Sequence, residues 1–194
     1  CISEGTVGSN GRIFKAFGHR AFHKVQNEVL NTLYGINGYN GTILWERKLP
    51  EGYLVHRSAF VATKETFYMI GGDRCVLLDP QTGEVQGTIQ IPGVVGPWKW
   101  MAIKDNVLYV LAGDKEPGTQ IIKGDRTFGG WSWADLSKGY YAKPRIPYGF
   151  GHTLAAYDLK SKKRLWKHQE KNPIDSRAMA MRDDKIYLFC PEHR

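Results

Sequence analysis

Cysteine is scarce in this chain: Cys1, Cys75 and Cys190 are the only three in 194 residues. Their wide spacing excludes a CxxC metal or redox motif and a CxxCH haem attachment site, and the odd count argues against a disulfide-stapled scaffold. Cys75 and Cys190 lie in apolar, strand-like runs, RCVLL and IYLFC, where a buried and inert thiol is expected. No stretch approaches the roughly twenty apolar residues of a membrane helix, so no transmembrane segment is expected. No export leader is visible either. Cys1 opens directly onto polar CISEGTVGSNG, as at a fragment boundary or after a removed signal. The sequence also lacks GxSxG, HExxH, an adjacent Cys-Cys pair, low-complexity tracts and a flexible interdomain linker.

What is present is ordinary in bulk, with 42% hydrophobic and 24% charged residues. The net charge of +8 is concentrated locally: KSKKRLWKHQEK (160–171) holds six Lys/Arg against one Glu. No nucleic-acid motif accompanies it, so a solvated hairpin turn is expected there, and no nucleic-acid partner.

The informative feature is repetition. LYGINGYNGTILWERKLP (33–50), VLLDPQTGEVQGTIQIP (76–92) and LAAYDLKSKKRLWKHQ (154–169) share one pattern. An alternating apolar run ends at Asn37, Asp79 or Asp158, whose short side chain can bond amides across a turn. Four residues later stands Gly41, Gly83 or Lys162, where a turn needs positive φ. Eight residues after the opener comes Trp45, Gly87 or Trp166. That is a β-hairpin stated three times.

A second hairpin pattern accompanies it, upstream of the second and third copies and again after the third. SAFVATKETFYMIGGD (58–73), KWMAIKDNVLYVLAGD (99–114) and RAMAMRDDKIYLFCPE (177–192) align without gaps and place Tyr68, Tyr109 and Tyr187 alike. Two successive hairpins make a four-stranded meander, the unit of a propeller. Asn37 to Asp79 is 42 residues and Tyr68 to Tyr109 is 41, whereas Asp79 to Asp158 is 79. The excess puts a long insertion at about 115–151.

The expected fold is therefore all-β, a β-propeller of four-stranded antiparallel blades. About three and a half blades are present, as in a fragment of a larger propeller. They run over about 10–50, 51–92 and 97–169, with the start of a fourth at 173–194. An open sandwich of about a dozen strands is the weaker alternative, because it does not explain the period. Extra sequence, GHRAFHKVQNEV, interrupts the first blade as a short helix or bulged loop.

LYGINGYNGTILW and LAAYDLKSKKRLW resemble the repeat LYALDAKTGKLLW of the PQQ-binding-like β-propeller family. That family includes quinoprotein alcohol dehydrogenases and the scaffold lipoprotein of the outer-membrane barrel assembly machinery. The resemblance covers nearly the whole chain apart from the insertion and the first dozen residues. It implies a periplasmic or extracellular location and further blades. It also raises a PQQ-dependent oxidoreductase, whose quinone lies between a Trp face and paired cysteines beside Ca²⁺ held by Glu, Asn and Asp. The chain has no Cys-Cys pair and no visible ligand cluster. No cofactor is therefore evident, and PQQ with Ca²⁺ fits only if missing blades supply the site. Trp45 and Trp166, at the repeat's own Trp position, are expected to dock one blade onto the next.

His19 and His23 are four apart and would share one face of a helix, yet no acidic residue lies between them and no third ligand is evident. Hydrogen bonding is the expected role, and no metal or catalytic residue is assigned. Two regions suit a ligand or partner. The loops leading into the innermost strands carry His56, Arg57, Trp98, Lys99 and Arg177; Ser58, Lys99 and Arg177 coincide in the repeat alignment. Such basic and aromatic groups either grip an anionic or planar ligand or solvate a channel mouth. The insertion gathers Trp131, Trp133, Tyr140, Tyr141 and Arg145, either as a contact surface or as a small core of its own.

The expected function is a non-enzymatic binding or scaffold propeller that presents loops to a protein or ligand partner. A quinoprotein oxidoreductase and a carbohydrate-binding propeller are the alternatives, so a protein or glycan partner is expected.

Overall fold

The computed structural model describes residues 4–17, 32–50, 53, 57–114, 150–176 and 178–190. These form three four-stranded antiparallel sheets followed by a single hairpin. Blade 1 is β1 (Glu4–Ser9), β2 (Arg12–Phe17), β3 (Thr32–Asn37) and β4 (Ile43–Lys48). Blade 2 is β5 (Phe60–Ala62), β6 (Phe67–Ile70), β7 (Cys75–Leu78) and β8 (Val85–Ile89). Blade 3 is β9 (Trp98–Lys104), β10 (Val107–Ala112), β11 (Phe150–Asp158) and β12 (Lys163–Asp175). The last hairpin is β13 (Ala180–Arg182) and β14 (Lys185–Tyr187).

The repeated turn has a local cause. Asp79 Oδ1 accepts bonds from the amides of Gln81 at 2.7 Å and Thr82 at 2.9 Å. Asp158 does the same for Lys160 and Ser161 at 2.8 and 2.6 Å, and Asn37 for Tyr39 at 2.9 Å. These amide bonds hold the Asp79 and Asp158 carboxyls below their usual acidity range, led by Thr82 at the first and Ser161 at the second. Gly41 and Gly83 both adopt φ of 74°, and Lys162 takes 55°. Just before each opener the ladder slips by a bulge, at Gly35/Ile36, Leu77/Leu78 and Ala156/Tyr157. A bulge at one repeat position in every blade tilts the outer hairpin by the same device each time.

Neighbouring blades touch through their first strands, β1 against β5, and β5 and β6 against β9. Blades that meet at their first strands and lie in succession are the arrangement of a β-propeller. The row is open among the described residues. Strand alternation supplies each blade with two apolar faces. On β10, Leu108, Val110 and Ala112 enter the core shared with blades 1 and 2. Leu111 and Tyr109 turn the other way, with Trp100, Leu154 and Ile174, against Met181, Ile186 and Leu188.

Two boundaries differ from the sequence expectation. β1 already begins at Glu4, ahead of residue 10, because EGTVGS carries one large apolar residue and so no alternation to read. β12 runs on to Asp175, past residue 169, through an irregular stretch in which Thr153 faces Gln169 but Gly151 faces Ile174. Pro173 is tolerated there because β12 is an outermost strand. The basic stretch 160–171 forms the turn and this exposed edge, where lysines discourage pairing with other chains. Two of its cations also reach back to blade 2. The Arg164 guanidinium donates to the Pro92 carbonyl, and Lys167 Nζ donates to the Gly93 carbonyl at 3.3 Å.

Trp45 fastens blade 1 to blade 2. Its indole N–H donates to the Pro80 carbonyl at 3.2 Å, and 8% of the residue is exposed. The ring lies over Gly35 on the paired strand and against Gly83 in the next blade's turn; a Cβ on either would come within 2.3 and 2.6 Å of it. Phe14 and Phe67 pack beside the indole at centroid distances of 5.9 and 6.4 Å. Arg12 Nε adds a 3.0 Å bond to Gln81 Oε1. Gly41 holds the equivalent place in blade 1 with the same φ, yet a Cβ there would meet nothing within 4 Å. Gly41→Ala therefore carries the left-handed strain alone, of about 1–2 kcal/mol, while Gly83→Ala adds a clash with Trp45. In urea unfolding Gly83→Ala should cost about 1–3 kcal/mol more than Gly41→Ala; equal costs would remove Trp45 from the account.

Candidate functional site

The end of the blades where the first strands begin gathers the buried polar groups. Lys99, Thr153, Asp175 and Ser176 are buried there in blade 3, and Thr32, the one other buried polar or charged residue among those described, opens β3 at the same end of blade 1. A buried polar side chain is costly unless it is bonded, so such a cluster marks a constructed part of the fold. Trp98 and Ala112 face each other across β9 and β10, and Ala112 faces Thr153 across β10 and β11. Phe150 in turn faces Asp175, so all four strands of blade 3 contribute to this end.

Backbone contacts tie this end to its neighbours. The Trp98 amide donates to the Gly72 carbonyl of blade 2 at 2.8 Å. The Gly113 amide donates to the Pro97 carbonyl at 3.0 Å, and the Asp175 amide to the Phe189 carbonyl at 2.9 Å beyond β14. Gly96, Gly113 and Gly151 let three backbone segments close up: a Cβ on Gly96 would fall 2.2 Å from the Gly113 carbonyl oxygen, and one on Gly113 2.4 Å from that of Phe150. This glycine seam was not foreseen from sequence, because GPW, AGD and FGH read as unrelated loop fragments.

The expected lead-in residues fare unequally. Trp98 and Lys99 are both buried, Lys99 with 1% of its surface exposed. Lys99, Ser58 and Asp175 each have interaction partners. The Trp98 indole N–H has no hydrogen-bond partner among the described residues. The 3-10 turn Arg57–Ala59 packs on β1 and β9, which brings Arg57 and Ser58 to the end where Trp98 and Lys99 begin β9. The Arg57 side chain, His56 and Arg177 lie outside the described residues. So do Trp131, Trp133, Tyr140, Tyr141 and Arg145, together with His19 and His23. The last described residue before the long segment is Asp114 and the first after it is Phe150, both at this same end.

Among the described residues no three His, Cys, Asp or Glu side chains converge as metal ligands would. Trp45, the repeat's Trp in blade 1, is consumed by packing between Gly35 and Gly83. The Trp45 indole is therefore closed to a stacked planar ligand. No described helix is long and apolar enough to cross a membrane.

The thiols complete the inventory of reactive groups. Burial pushes the Cys75 thiol up to about 12, and its sulfur lies 4.0 Å from Met101 Sδ. Burial, then the Glu170 carboxylate, also raises Cys190, which is only partly buried. The nearby Tyr53 phenol is pushed far above its usual range by burial, and second by Cys75. Since the thiolate is the reactive form, iodoacetamide at pH 8 should alkylate Cys190 in the folded chain and spare Cys75 until denaturant is added. Peptide mass mapping checks this, and equal native labelling would contradict the buried position.

No protein-family model matches the sequence, and no curated protein matches it. Solved structures do match. A computationally designed protein, Ika8, is 11% identical at a TM-score of 0.53, over 98% of this chain and 43% of its own. BBS1N, solved in complex with ARL6DN, is 11% identical at 0.50, over 96% of this chain and 44% of its own. BamB from Moraxella catarrhalis is 13% identical at 0.45, over 86% and 40%, too distant a likeness to carry an argument. The chain thus spans less than half the length of these three, and the likeness concerns fold alone.

Proposed function

We propose that this chain belongs to a non-enzymatic binding propeller that works outside the cytoplasm, with the lead-in end of its blades turned toward a protein partner. The observation that supports the reading is the position of the long 115–149 segment. It leaves and rejoins blade 3 at the end where Lys99, Thr153, Asp175 and Ser176 are buried and where the Arg57–Ala59 turn packs. A frame closed by glycine-to-backbone contacts keeps that end rigid, so binding does not have to order the platform as well.

In this reading Trp131, Trp133, Tyr140, Tyr141 and Arg145 supply the anchors. Large aromatic and Arg side chains carry most of the energy at protein interfaces. His56, Arg57 and Arg177 add charged contacts, and the buried Trp98 and Lys99 belong to the supporting frame. Work outside the cytoplasm rests on the repeat resemblance.

The test compares the unaltered chain with a variant carrying Trp131→Ala, Trp133→Ala, Tyr140→Ala and Tyr141→Ala. Both are cross-linked on cells, printed on a glycan array, and titrated calorimetrically with PQQ and Ca²⁺. The expected result is a discrete protein cross-link that the variant loses, with no glycan signal and no quinone heat. Saturable one-to-one PQQ binding would instead make the chain part of an oxidoreductase wall. Glycan binding lost in the variant would make it a carbohydrate-binding propeller.

A further inference from the structure

The cations of blade 3 are not a property of the repeat. Residues 160–171 carry six Lys/Arg against one Glu, whereas the matching stretches 39–50 and 81–92 carry two against one and none against one. The surplus gathers at the β11–β12 turn. Lys160, Lys162 and Lys163 fall within four residues there, and every residue from Lys160 to Gln169 is exposed. Lysines on an edge strand guard it against pairing, but Lys160 and Lys162 precede the first residue of β12 and guard no ladder. Lys162 is also held at a conformational cost. It takes φ of 55° where blades 1 and 2 use Gly41 and Gly83 at 74°. The Trp45 indole lies against Gly83, but blade 2 carries Gly87 at the position of Trp45. A side chain is thus accommodated in the blade 3 turn, and a lysine fills the left-handed position that glycine would take without strain.

Neighbouring acids leave most of this charge in place. Asp158 is one carboxylate against three ammonium groups, and its Oδ1 serves the amides of Lys160 and Ser161. Glu170 is taken up by His168 at 2.6 Å. Arg164 and Lys167 donate to the uncharged carbonyls of Pro92 and Gly93, which leaves their positive charge uncompensated. Among the described residues no ion pair joins Lys162 or Lys163 to an acid. We propose that the β11–β12 turn, with the start of β12, is a docking surface for an anionic lipid bilayer. Shape and residue type select the occupant. An exposed hairpin tip suits a plane better than it suits a small anion, which needs an enclosing site. Lysines are point charges on flexible stems, and they are depleted at protein interfaces, where Arg and aromatic residues are enriched. An anionic leaflet demands no fixed geometry and gains with each cation brought near it. The tip lies at the end opposite Trp98 and Phe150, where β9 and β11 begin. The blades thus rest on the membrane by their turn end with the lead-in end facing away, and this surface is tested without reference to the partner reading.

The probe is a set of vesicles, equal parts phosphatidylglycerol and phosphatidylcholine, against phosphatidylcholine alone, with the full chain followed by co-sedimentation. The chain should pellet with the mixed vesicles at low salt, stay in solution with phosphatidylcholine, and be released as salt rises, because surface attraction is screened. Lys162→Gly restores the residue that the other blades use, so its urea midpoint should not fall, while partitioning weakens about fivefold. Lys160→Gln, Lys162→Gly and Lys163→Gln together should abolish pelleting. Arg74→Gln removes a positive charge at the lead-in end, in the turn whose Gly72 carbonyl bonds the Trp98 amide, and should leave partitioning unchanged. The single Lys162→Gly variant decides the matter even if the triple variant misfolds. Absence of pelleting, pelleting indifferent to Lys162→Gly, or an equal loss in Arg74→Gln overturns the proposal. Retention of duplex DNA without retention of the vesicles also overturns it, in favour of a nucleic-acid surface.

Discussion

A four-stranded sheet with two apolar faces cannot stand alone in water, and the contact that fastens blade 1 to blade 2 at their outer strands is the indole of Trp45. One side chain meets three requirements of the repeat. It fills the space left by Gly35 on its own blade and the space left by Gly83 on the next, and it satisfies a carbonyl of the neighbouring turn. Truncating a buried Trp usually costs about 3–5 kcal/mol, a large fraction of a domain's net stability. The aromatic run from Trp45 through Phe14, Phe67 and Phe60 to Tyr53 then carries the contact from the outer strands toward the first strands. Without it the outer strands of blades 1 and 2 would lose their shared indole, leaving the Phe14–Phe67 contact, the Arg12 bond to Gln81 and the first strands to join them.

The same frame separates support from recognition. Turns opened by Asp or Asn, with their bulges, set the outer hairpins, and these parts are identical in kind from blade to blade. The long 115–149 segment is rooted at the lead-in end, where Lys99, Asp175 and Ser176 are buried. Rigid scaffolds commonly carry binding groups on such loops. The blade contacts can thus stay constant while loop chemistry sets the partner.

The repeat was legible because its turn depends on chemistry within a few residues. Asn37, Asp79 and Asp158 with Gly41, Gly83 and Lys162 announce the hairpins, and alternation at Leu108 and Val110 announces the strands. The all-β architecture and the four-stranded antiparallel blades could therefore be read from sequence. β1 could not, since a strand made of EGTVGS gets its place from pairing with β2 and not from its own pattern. The glycine seam of Gly96, Gly113 and Gly151 was hidden for a similar reason, because close approach between distant backbones leaves no local signature. Lys99 was read as a lead-in cation that either grips a ligand or solvates the channel mouth, and its burial comes from packing at the end of blade 3. Trp45 and Trp166 look equivalent in sequence, yet 8% of the first and 39% of the second is exposed.

Hydrogen–deuterium exchange on Trp45→Ala tests this account most directly. If the indole couples the blades, amide protection should fall together in β2–β4 and in β6–β8, with β10 and β11 largely retained. Loss of protection confined to β4 and its turn would show that blade 2 stands without Trp45, and would contradict the account.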